Sequence, residues 1–173
     1  MISEEKDKIK INSYLTFKLA EELYAANVKN VINIIELSKI TKVPRSPEYM
    51  IGIVNLRGIV LPVIDARKKF GLPEAEYTVN TCILVLEVIV NNDTVLVGAL
   101  VDGVKEVVEI EASEIKDPPT IGFNFNNYFI TGVYKKKDEE TFIMILDMDS
   151  VFSTDEIVAL NSVSSTTKAE HTE

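Results

Sequence analysis

The fold is decided by one segment near the middle of the chain, Gly52-Ile53-Val54-Asn55-Leu56-Arg57-Gly58-Ile59-Val60-Leu61-Pro62-Val63-Ile64-Asp65. Two short apolar runs, residues 53–56 and 59–64, have the Val and Ile content of buried strands. Asn55 and Gly58 lie between the runs, and both residue types suit a tight turn with positive backbone angles. The segment therefore predicts two strands joined by a hairpin that carries Arg57.

The same strand pattern continues on both sides of this hairpin. From Ser13 onward, apolar residues recur at every second position or in short solid runs, as in sheets buried on one or both faces. The other predicted strands comprise a first strand with Leu15, Phe17 and Leu19 on one side, then residues 23–26, 31–37, 81–90, 95–101, 104–110, 128–134 and 141–146. Turns are predicted between them at Glu21-Glu22, Asn91-Asn92-Asp93, Asp102-Gly103 and residues 135–140.

Helical signals are few and short. Ser46-Pro47-Glu48 has the capping residue, the proline and the acidic residue of a helix start. Residues 65–71 predict a short helix that Asp65 caps at one end and Gly71 closes at the other. A last helix is predicted at residues 155–160, before a polar tail that we expect to be disordered.

An internal repeat relates the two halves of the chain. Tyr24-Ala25-Ala26-Asn27-Val28 lines up with Val97-Gly98-Ala99-Leu100-Val101, and Val31, Ile34 and Ile35 line up with Val104, Val107 and Val108 at the same offset of 73 residues. Further matches pair Ile51-Gly52-Ile53 with Thr131-Gly132-Val133, and Asp65 and Phe70 with Asp147 and Phe152. Two related units of about five strands each are implied, and five short twisted strands most readily close into a small barrel.

Composition and charge exclude several classes of protein. The chain has 173 residues, of which 46% are hydrophobic and 26% charged, as in an ordinary globular protein. A net charge of −9 argues against a general nucleic-acid binder, because that role needs clustered Lys and Arg. No apolar run approaches the roughly 18 residues that span a bilayer, and the polar N-terminus lacks the features of a secretory signal. We therefore expect a cytoplasmic protein without membrane insertion.

Most catalytic chemistry has no support in the sequence. The glycines are isolated and form no phosphate-binding loop. His171, the only histidine, lies in the polar tail, which argues against a Ser-His-Asp triad. Cys82, the only cysteine, lies in an apolar run and is expected to pack as a small hydrophobic residue. No metal, cofactor or catalytic residue is expected.

The acidic residues leave one rival interpretation. Asp147 and Asp149 could bind a hard cation, although helix capping is the commoner use of such residues. A small β-barrel enzyme or ligand binder that uses Asp65, Asp102, Asp147 or Asp149 would belong to another functional class. Metal analysis of the purified protein discriminates between these classes.

Three features remain after core packing and catalysis are considered. Arg57 is either a solvated turn residue or a partner anchor, since Arg forms bidentate pairs and is enriched at interface hot spots. Residues 31–36 are apolar on both faces, and the excess is either buried by the second barrel or left outside as a protein contact. Asp102-Gly103 is interpreted first as a hairpin or bulge, and Gly98 as a close approach of two backbones.

The order and spacing of these segments are similar to a known family. The matching segments are Tyr14-Leu15-Thr16-Phe17-Lys18-Leu19, the whole stretch from Gly52 to Asp65, Val97-Gly98-Ala99-Leu100-Val101-Asp102-Gly103-Val104, Tyr128-Phe129-Ile130-Thr131-Gly132 and Ile145-Leu146-Asp147. Together they resemble the CheW-like family of bacterial chemotaxis coupling proteins. The likeness extends over residues 13–160, which we expect to form a single domain of two intertwined barrel subdomains. Residues 1–12 are expected to be a flexible N-terminal segment, and residues 161–173 a disordered tail.

The resemblance implies an all-β fold of two five-stranded, SH3-like barrels packed around a shared hydrophobic core. It also implies a non-catalytic adaptor that couples the cytoplasmic tips of methyl-accepting chemoreceptors to the regulatory domain of the histidine kinase CheA. Such an adaptor is recruited from the cytoplasm to membrane-associated receptor arrays. The alternative is the same scaffold in a related pathway, such as twitching motility, gliding motility or a regulatory circuit.

The resemblance also assigns residues. It implies that Val31, Asn33, Ile34, Arg57, Gly58, Gly98 and Val104 lie on or beneath partner-binding surfaces, whereas Asn55, Asp65, Asp102, Gly103 and Asp147 serve turns and caps. Asn33 departs from the pattern, because many family members carry an acidic residue there. Losing that charge removes a possible pair with a basic residue of the partner, so partner choice or affinity is expected to differ.

Overall fold

Ten β-strands and two one-turn helices make up the part of the chain that the computed structural model describes, residues 10–118 and 129–152. The strands are β1 (Ile11–Leu19), β2 (Glu22–Asn27), β3 (Val31–Glu36), β4 (Met50–Leu56), β5 (Ile59–Asp65), β6 (Cys82–Val90), β7 (Asp93–Val101), β8 (Gly103–Glu111), β9 (Ile130–Lys135) and β10 (Phe142–Leu146). The helices are α1 (Ala66–Lys69) and α2 (Met148–Val151). The predicted all-β class is confirmed, while the helix predicted at 155–160 and the two terminal segments lie outside the described residues, except for residues 10–12.

The strands form two five-stranded sheets, and each sheet takes strands from both halves of the chain. Sheet 1 has the order β8-β1-β2-β10-β9, and sheet 2 has the order β3-β6-β7-β5-β4. Strands β3 to β5 of the first half therefore pair with β6 and β7 of the second half, and β8 to β10 pair with β1 and β2. Neither half of the sequence completes a sheet by itself.

The repeat seen in the sequence is a repeat of the structure. Advancing each strand number by five turns the order of sheet 1 into that of sheet 2. The register agrees as well, because Leu146 pairs in parallel with Ala26 in sheet 1, and Ile64 with Ala99 in sheet 2. These pairs are related by the sequence offsets of 82 and 73 residues, so the two sheets are pseudo-equivalent residue by residue.

Each sheet is closed by the segment that follows its third-repeat strand, β3 or β8. After β3 the chain returns to β4, where Thr41 and Ile53 exchange two backbone hydrogen bonds of 2.9 and 2.8 Å. After β8, Lys116 and Val133 of β9 exchange two bonds of the same lengths. Closure by continuity of the chain leaves less unpaired backbone at the sheet edges and gives the two small barrels predicted from the strand pattern.

The hydrophobic core has three parts. A shared core lies between the sheets and takes Leu15, Phe17, Leu84 and Leu86, among other residues. Alternate residues of the same strands point into the separate core of each barrel, which contains Tyr14, Ala25, Ile110, Tyr134, Ile143 and Ile145 in sheet 1, and Val54, Leu61, Val63, Ile83, Val85 and Leu100 in sheet 2. Strands buried on both faces explain the solid apolar runs of the sequence.

Two hairpins have the tight two-residue turns that the sequence predicts. Arg57 and Gly58 connect β4 to β5 with φ angles of 51° and 87°, and Asn91 and Asn92 connect β6 to β7 with φ angles of 50° and 68°. Two successive positive φ values define the turn type whose twist matches that of the flanking strands. Asn55 lies just before the first turn, and its Oδ1 accepts a hydrogen bond of 2.7 Å from the backbone N–H of Gly58.

The helix predicted from Ser46-Pro47-Glu48 was wrong. The backbone N–H of Met50 donates a 3.0 Å hydrogen bond to the carbonyl of Pro47, which closes a turn. Met50 is also the first residue of β4 and pairs with Ile64. Strand pairing therefore takes the residues that the helix would need, and Ser46 donates its hydroxyl to the carbonyl of Val43 at 2.9 Å instead.

Two turn predictions also need correction. Asp102-Gly103 is not a hairpin, because it carries the chain from β7 of sheet 2 to β8 of sheet 1. The first turn lies at Ala20 and Glu21 rather than at Glu21-Glu22, since Ala20 has a φ of 55° and Glu22 already begins β2. In both cases local turn chemistry gave the position within about one residue but not the connection.

Replacing Gly98 by Ala is expected to destabilise the protein by about 1–3 kcal/mol, the usual cost of overpacking a core. A Cβ at this position would lie 2.8 Å from Ile83 Cγ2, with Leu61 and Val63 at 3.2 and 3.3 Å. Gly103→Ala is the matched control, because its Cβ would meet Asn80 at an ordinary 3.5 Å. Urea unfolding of both variants tests this, and equal stability losses would contradict it.

Candidate partner-binding surfaces

Arg57 lies at the exposed tip of the β4–β5 hairpin. Its left-handed backbone conformation costs a residue with a side chain about 1–2 kcal/mol, and Asn or Gly is the usual choice at this turn position. The guanidinium makes no hydrogen bond or ion pair with any residue of the described chain. Arg57 thus presents five unused donors to solvent from a rigid turn, a geometry that suits a carboxylate of another molecule.

Strand β3 is an edge strand of sheet 2 and carries an exposed apolar surface. Ile32 and Ile34 are 52% and 44% exposed, and Val31 packs partly against the shared core. A β-bulge interrupts pairing with β6 between Val31 and Asn33, so the extra residue Ile32 stands out of the ladder. Asn33 is exposed, and its Oδ1 accepts the backbone N–H of Ile34 at 2.8 Å. The second barrel does not bury the apolar excess of this strand.

Strand β8 is the pseudo-equivalent edge strand of sheet 1. Val104 pairs with Phe17 and is half-buried against the shared core, and Val107 is 59% exposed opposite Leu15. A bulge occurs at the corresponding place, between the partners of Leu15 and Phe17. The sequence analysis selected Val104 but not Val107, although the offset of 73 from Ile34 carried the signal.

Gly98 is buried within β7 and is not available for direct contact. It pairs with Val85 of β6 and with Val63 of β5, and the side chains of Ile83, Leu61 and Val63 close over its α-carbon. Any effect of a substitution here on binding must pass through the packing of sheet 2.

The predicted partner-binding residues do not form one patch. Val31, Asn33 and Ile34 lie on the edge strand β3, whereas Arg57 and Gly58 lie at the tip of β4 and β5, with β6 and β7 between these elements in sheet 2. Val104 belongs to the other sheet. The structure therefore offers at least two separate contact regions, which is the arrangement that a protein needs to hold two partners at once.

Arg67 and Asp102 form an ion pair that the sequence analysis missed. Arg67 Nε donates to both carboxylate oxygens of Asp102 at 2.9 Å, and Nη2 donates to Oδ2 at 2.6 Å. The side chains are only 18% and 26% exposed. Ala20 donates its backbone N–H to the same carboxylate at 2.6 Å. The position of Arg67, two residues after the helix cap Asp65, gave no sequence signal for this pair.

The surroundings of Asp102 have opposite effects on its pKa. Partial burial by itself would raise the pKa, but the hydrogen bonds from Arg67 and from the Ala20 N–H stabilise the carboxylate and bring the pKa below its ordinary value. Asp102 is therefore charged in the folded protein at neutral pH, and its charge is compensated.

The other acidic residues singled out from the sequence bind backbone N–H groups. Asp65 Oδ1 accepts from Arg67 and Lys68 at the start of α1, and Asp147 Oδ1 accepts from Asp149 at the start of α2. Asp149 Oδ1 accepts from Ile89 at 2.9 Å. Within residues 10–118 and 129–152, no group of three or more His, Cys, Asp or Glu side chains could hold a metal ion. No helix of these two ranges is long and apolar enough to cross a membrane.

Comparisons with known proteins identify relatives of the chain. A model of the CheW-like domain matches residues 13–156. The chemotaxis protein CheW of Rhizobium meliloti is 32% identical over 82% of this chain and 88% of its own, and CheW of Helicobacter pylori is 30% identical over 88% of both chains. Among solved structures, the scaffolding protein TtCheW of Thermoanaerobacter tengcongensis matches with a TM-score of 0.73 and 31% identity, over 85% of this chain and 96% of that one.

Replacing Asp102 by Asn is expected to lower the free energy of unfolding by about 1–3 kcal/mol at pH 7, as for other charged hydrogen bonds. Because the folded pKa lies below the unfolded one, this stabilisation is full above the ordinary Asp pKa of about 3.9. It is lost as the pH falls through the folded pKa. Urea unfolding of both proteins from pH 7 to pH 3 should show the difference shrinking in the acidic range, and a constant difference would contradict the ion pair.

Proposed function

Since the chain belongs to the CheW-like domain family, we propose that it is a non-catalytic chemotaxis adaptor that couples methyl-accepting chemoreceptors to the histidine kinase CheA. The family match over residues 13–156 carries the proposal. The similarity to a scaffolding protein in both sequence and fold supports it. The chain acts in the cytoplasm and joins receptor arrays through its partners.

Two kinds of surface support contact with two different partners. The β3 surface, formed by Val31, Asn33 and Ile34, is apolar and suits an apolar face of a partner. The hairpin tip with Arg57 and Gly58 suits an acidic group. Val104 contributes from β8, and Gly98 acts beneath the surface by fixing the packing of β5, β6 and β7. Residues 13–160 form the adaptor domain in this proposal.

Coupling requires more than attachment. The adaptor transmits a signal only if it binds receptor and kinase more favourably in one signalling state than in the other. Equal affinity for both states, however high, shifts no equilibrium. The rigid, doubly buried strands between β3 and the hairpin tip provide a stiff connection through which such a preference acts between neighbours.

Reconstitution with purified components tests the proposed function. The full chain is mixed with a CheA-type kinase and a receptor cytoplasmic fragment from the same genome, and complexes are separated by size. Kinase autophosphorylation is then measured with and without the chain. We expect a ternary complex and kinase activity that depends on the receptor only when the chain is present. Failure of the chain to bind either component would overturn the proposal.

Ile34→Lys is expected to weaken the binding of one partner by about tenfold or more, because it places a charge in an apolar contact. Ile11→Lys is the matched control, since Ile11 is an exposed isoleucine of sheet 1 that lies opposite Glu111. Titration calorimetry with each partner gives the dissociation constants. Equal binding by both variants and the unchanged protein would remove Ile34 from the contact surface.

Arg57→Ala is expected to raise the dissociation constant for one partner about tenfold, while the unfolding midpoint changes by less than roughly 3 °C. The side chain makes no contact within the described chain, so its loss should cost little stability. Arg45→Ala is the matched control, because Arg45 is also exposed and has a φ of 59°. An Arg57 variant that melts early but binds normally when folded would show a structural role instead.

A further inference from the structure

The Arg67–Asp102 ion pair lies where three elements of the fold meet. Asp102 is the connection between β7 and β8, Arg67 is in α1, and Ala20 is in the turn between β1 and β2. Asp102 accepts hydrogen bonds from both of the other residues. Arg67 Nη1 also donates to the carbonyl of Pro73 at 2.8 Å. The guanidinium thereby fixes the Asp102 side chain from one direction and the Ala20 N–H fixes it from another.

The pseudo-equivalent junction in the other half shows that the fold does not require an ion pair here. By the offsets of the repeat, Lys29 occupies the place of Asp102, Asp149 that of Arg67, and Ile89 that of Ala20. At this second junction Asp149 accepts the N–H of Ile89 directly. Lys29 forms no ion pair with any residue of the described chain. One carboxylate is enough to close the junction beside β3, whereas the junction beside β8 has two more charged hydrogen bonds.

The additional bonds act at the start of the strand that carries Val104. The backbone N–H of Asp102 donates to the Lys18 carbonyl at 3.0 Å, and Gly103 pairs with Lys18. On the other side of Val104, the Thr16 hydroxyl donates to the Glu106 carbonyl at 2.8 Å and accepts the Glu106 N–H at 3.1 Å. Val104 is thus held between two fixed points, and the ion pair is one of them.

Val104 and the ion pair also border the same groove. This groove has a volume of about 400 Å³, and Arg67, Asp102, Gly103, Val104 and Lys105 lie along its wall. A partner that contacts Val104 approaches beside the ion pair. A shift of Asp102 therefore changes the shape of the surface that the partner meets.

We propose that Arg67 and Asp102 are positioning residues that hold the start of β8 and thereby set the orientation in which Val104 contacts a partner of the adaptor. This inference rests on the proposed function. Arg67 acts through Asp102 and Val104 and makes no partner contact of its own, because its donors are used within the chain.

The test compares binding with stability in the full chain. Dissociation constants for the CheA regulatory domain and for the receptor fragment are measured with Val104→Ala, Arg67→Met and the double variant, at a temperature where each is fully folded by circular dichroism. Arg67→Met should weaken the partner that Val104→Ala weakens, about fivefold to tenfold, and leave the other partner unchanged. The effects should be less than additive in the double variant, since both residues act on one contact.

The controls separate this role from general stability. Lys68→Met removes a charge one residue further along α1, where Lys68 pairs only with the exposed Glu74 at 3.2 Å, and it should bind both partners normally. Arg67→Lys, which keeps the charge but not the paired geometry, should recover part of the affinity. If Arg67→Met does not fold, Asp102→Asn takes its place in the same comparison.

The outcomes are distinguishable. Loss of stability without loss of affinity in the folded Arg67→Met protein overturns the positioning role, as does equal weakening of both partners. If Val104→Ala weakens neither partner, the positioning role is also refuted, although the unchanged protein still binds kinase and receptor as the proposed function requires. If the unchanged protein binds neither, the proposed function itself fails.

Discussion

The structure depends on one packing constraint, namely that its central strands are apolar on both faces. Residues Leu84 and Leu86 of β6 point into the core shared by the two sheets, while Ile83 and Val85 point into the core of sheet 2. Strand β1 does the same for sheet 1. A single sheet could cover only one of these faces, so two sheets must pack together. Burial of both faces also makes the strands stiff, and this stiffness fixes the position of the exposed residues on β3, β8 and the β4–β5 hairpin.

Local features of the fold could be read from the sequence, because they depend on neighbouring residues. The Arg57-Gly58 and Asn91-Asn92 turns and the alternating cores follow from turn chemistry and from the period of two. The helix signal at Ser46-Pro47-Glu48 failed because pairing of Met50 with Ile64 outweighs a cap. The exchange of strands between halves could not be read from local pattern, since Asp102-Gly103 has the same composition whether the next strand joins the same sheet or the other one.

The candidate surfaces show a similar division. The apolar excess of β3 was visible in the sequence, and the structure leaves Ile32 and Ile34 exposed. Arg67 was not visible, because its role depends on Asp102, 35 residues away. The repeat gives the adaptor two equivalent edge strands whose details differ. Asn33 on β3 is neutral, whereas Glu106 at the equivalent position of β8 pairs with Lys136 at 2.7 Å. One ancestral surface has thus become two with different charge, and different partners can be told apart by them.

The exchange of strands between the halves also matters while the protein is being made. Strands β3, β4 and β5 leave the ribosome well before β6 and β7, the strands with which they pair. At about 5–20 residues per second, the roughly eighty residues up to the end of β10 take on the order of 4–16 s to add. During that interval the nascent chain exposes apolar strands without their partners, and it is then most open to aggregation. The chain therefore completes its folding only after nearly all of it has been synthesised, and a chaperone that binds extended apolar segments is of most use during these seconds.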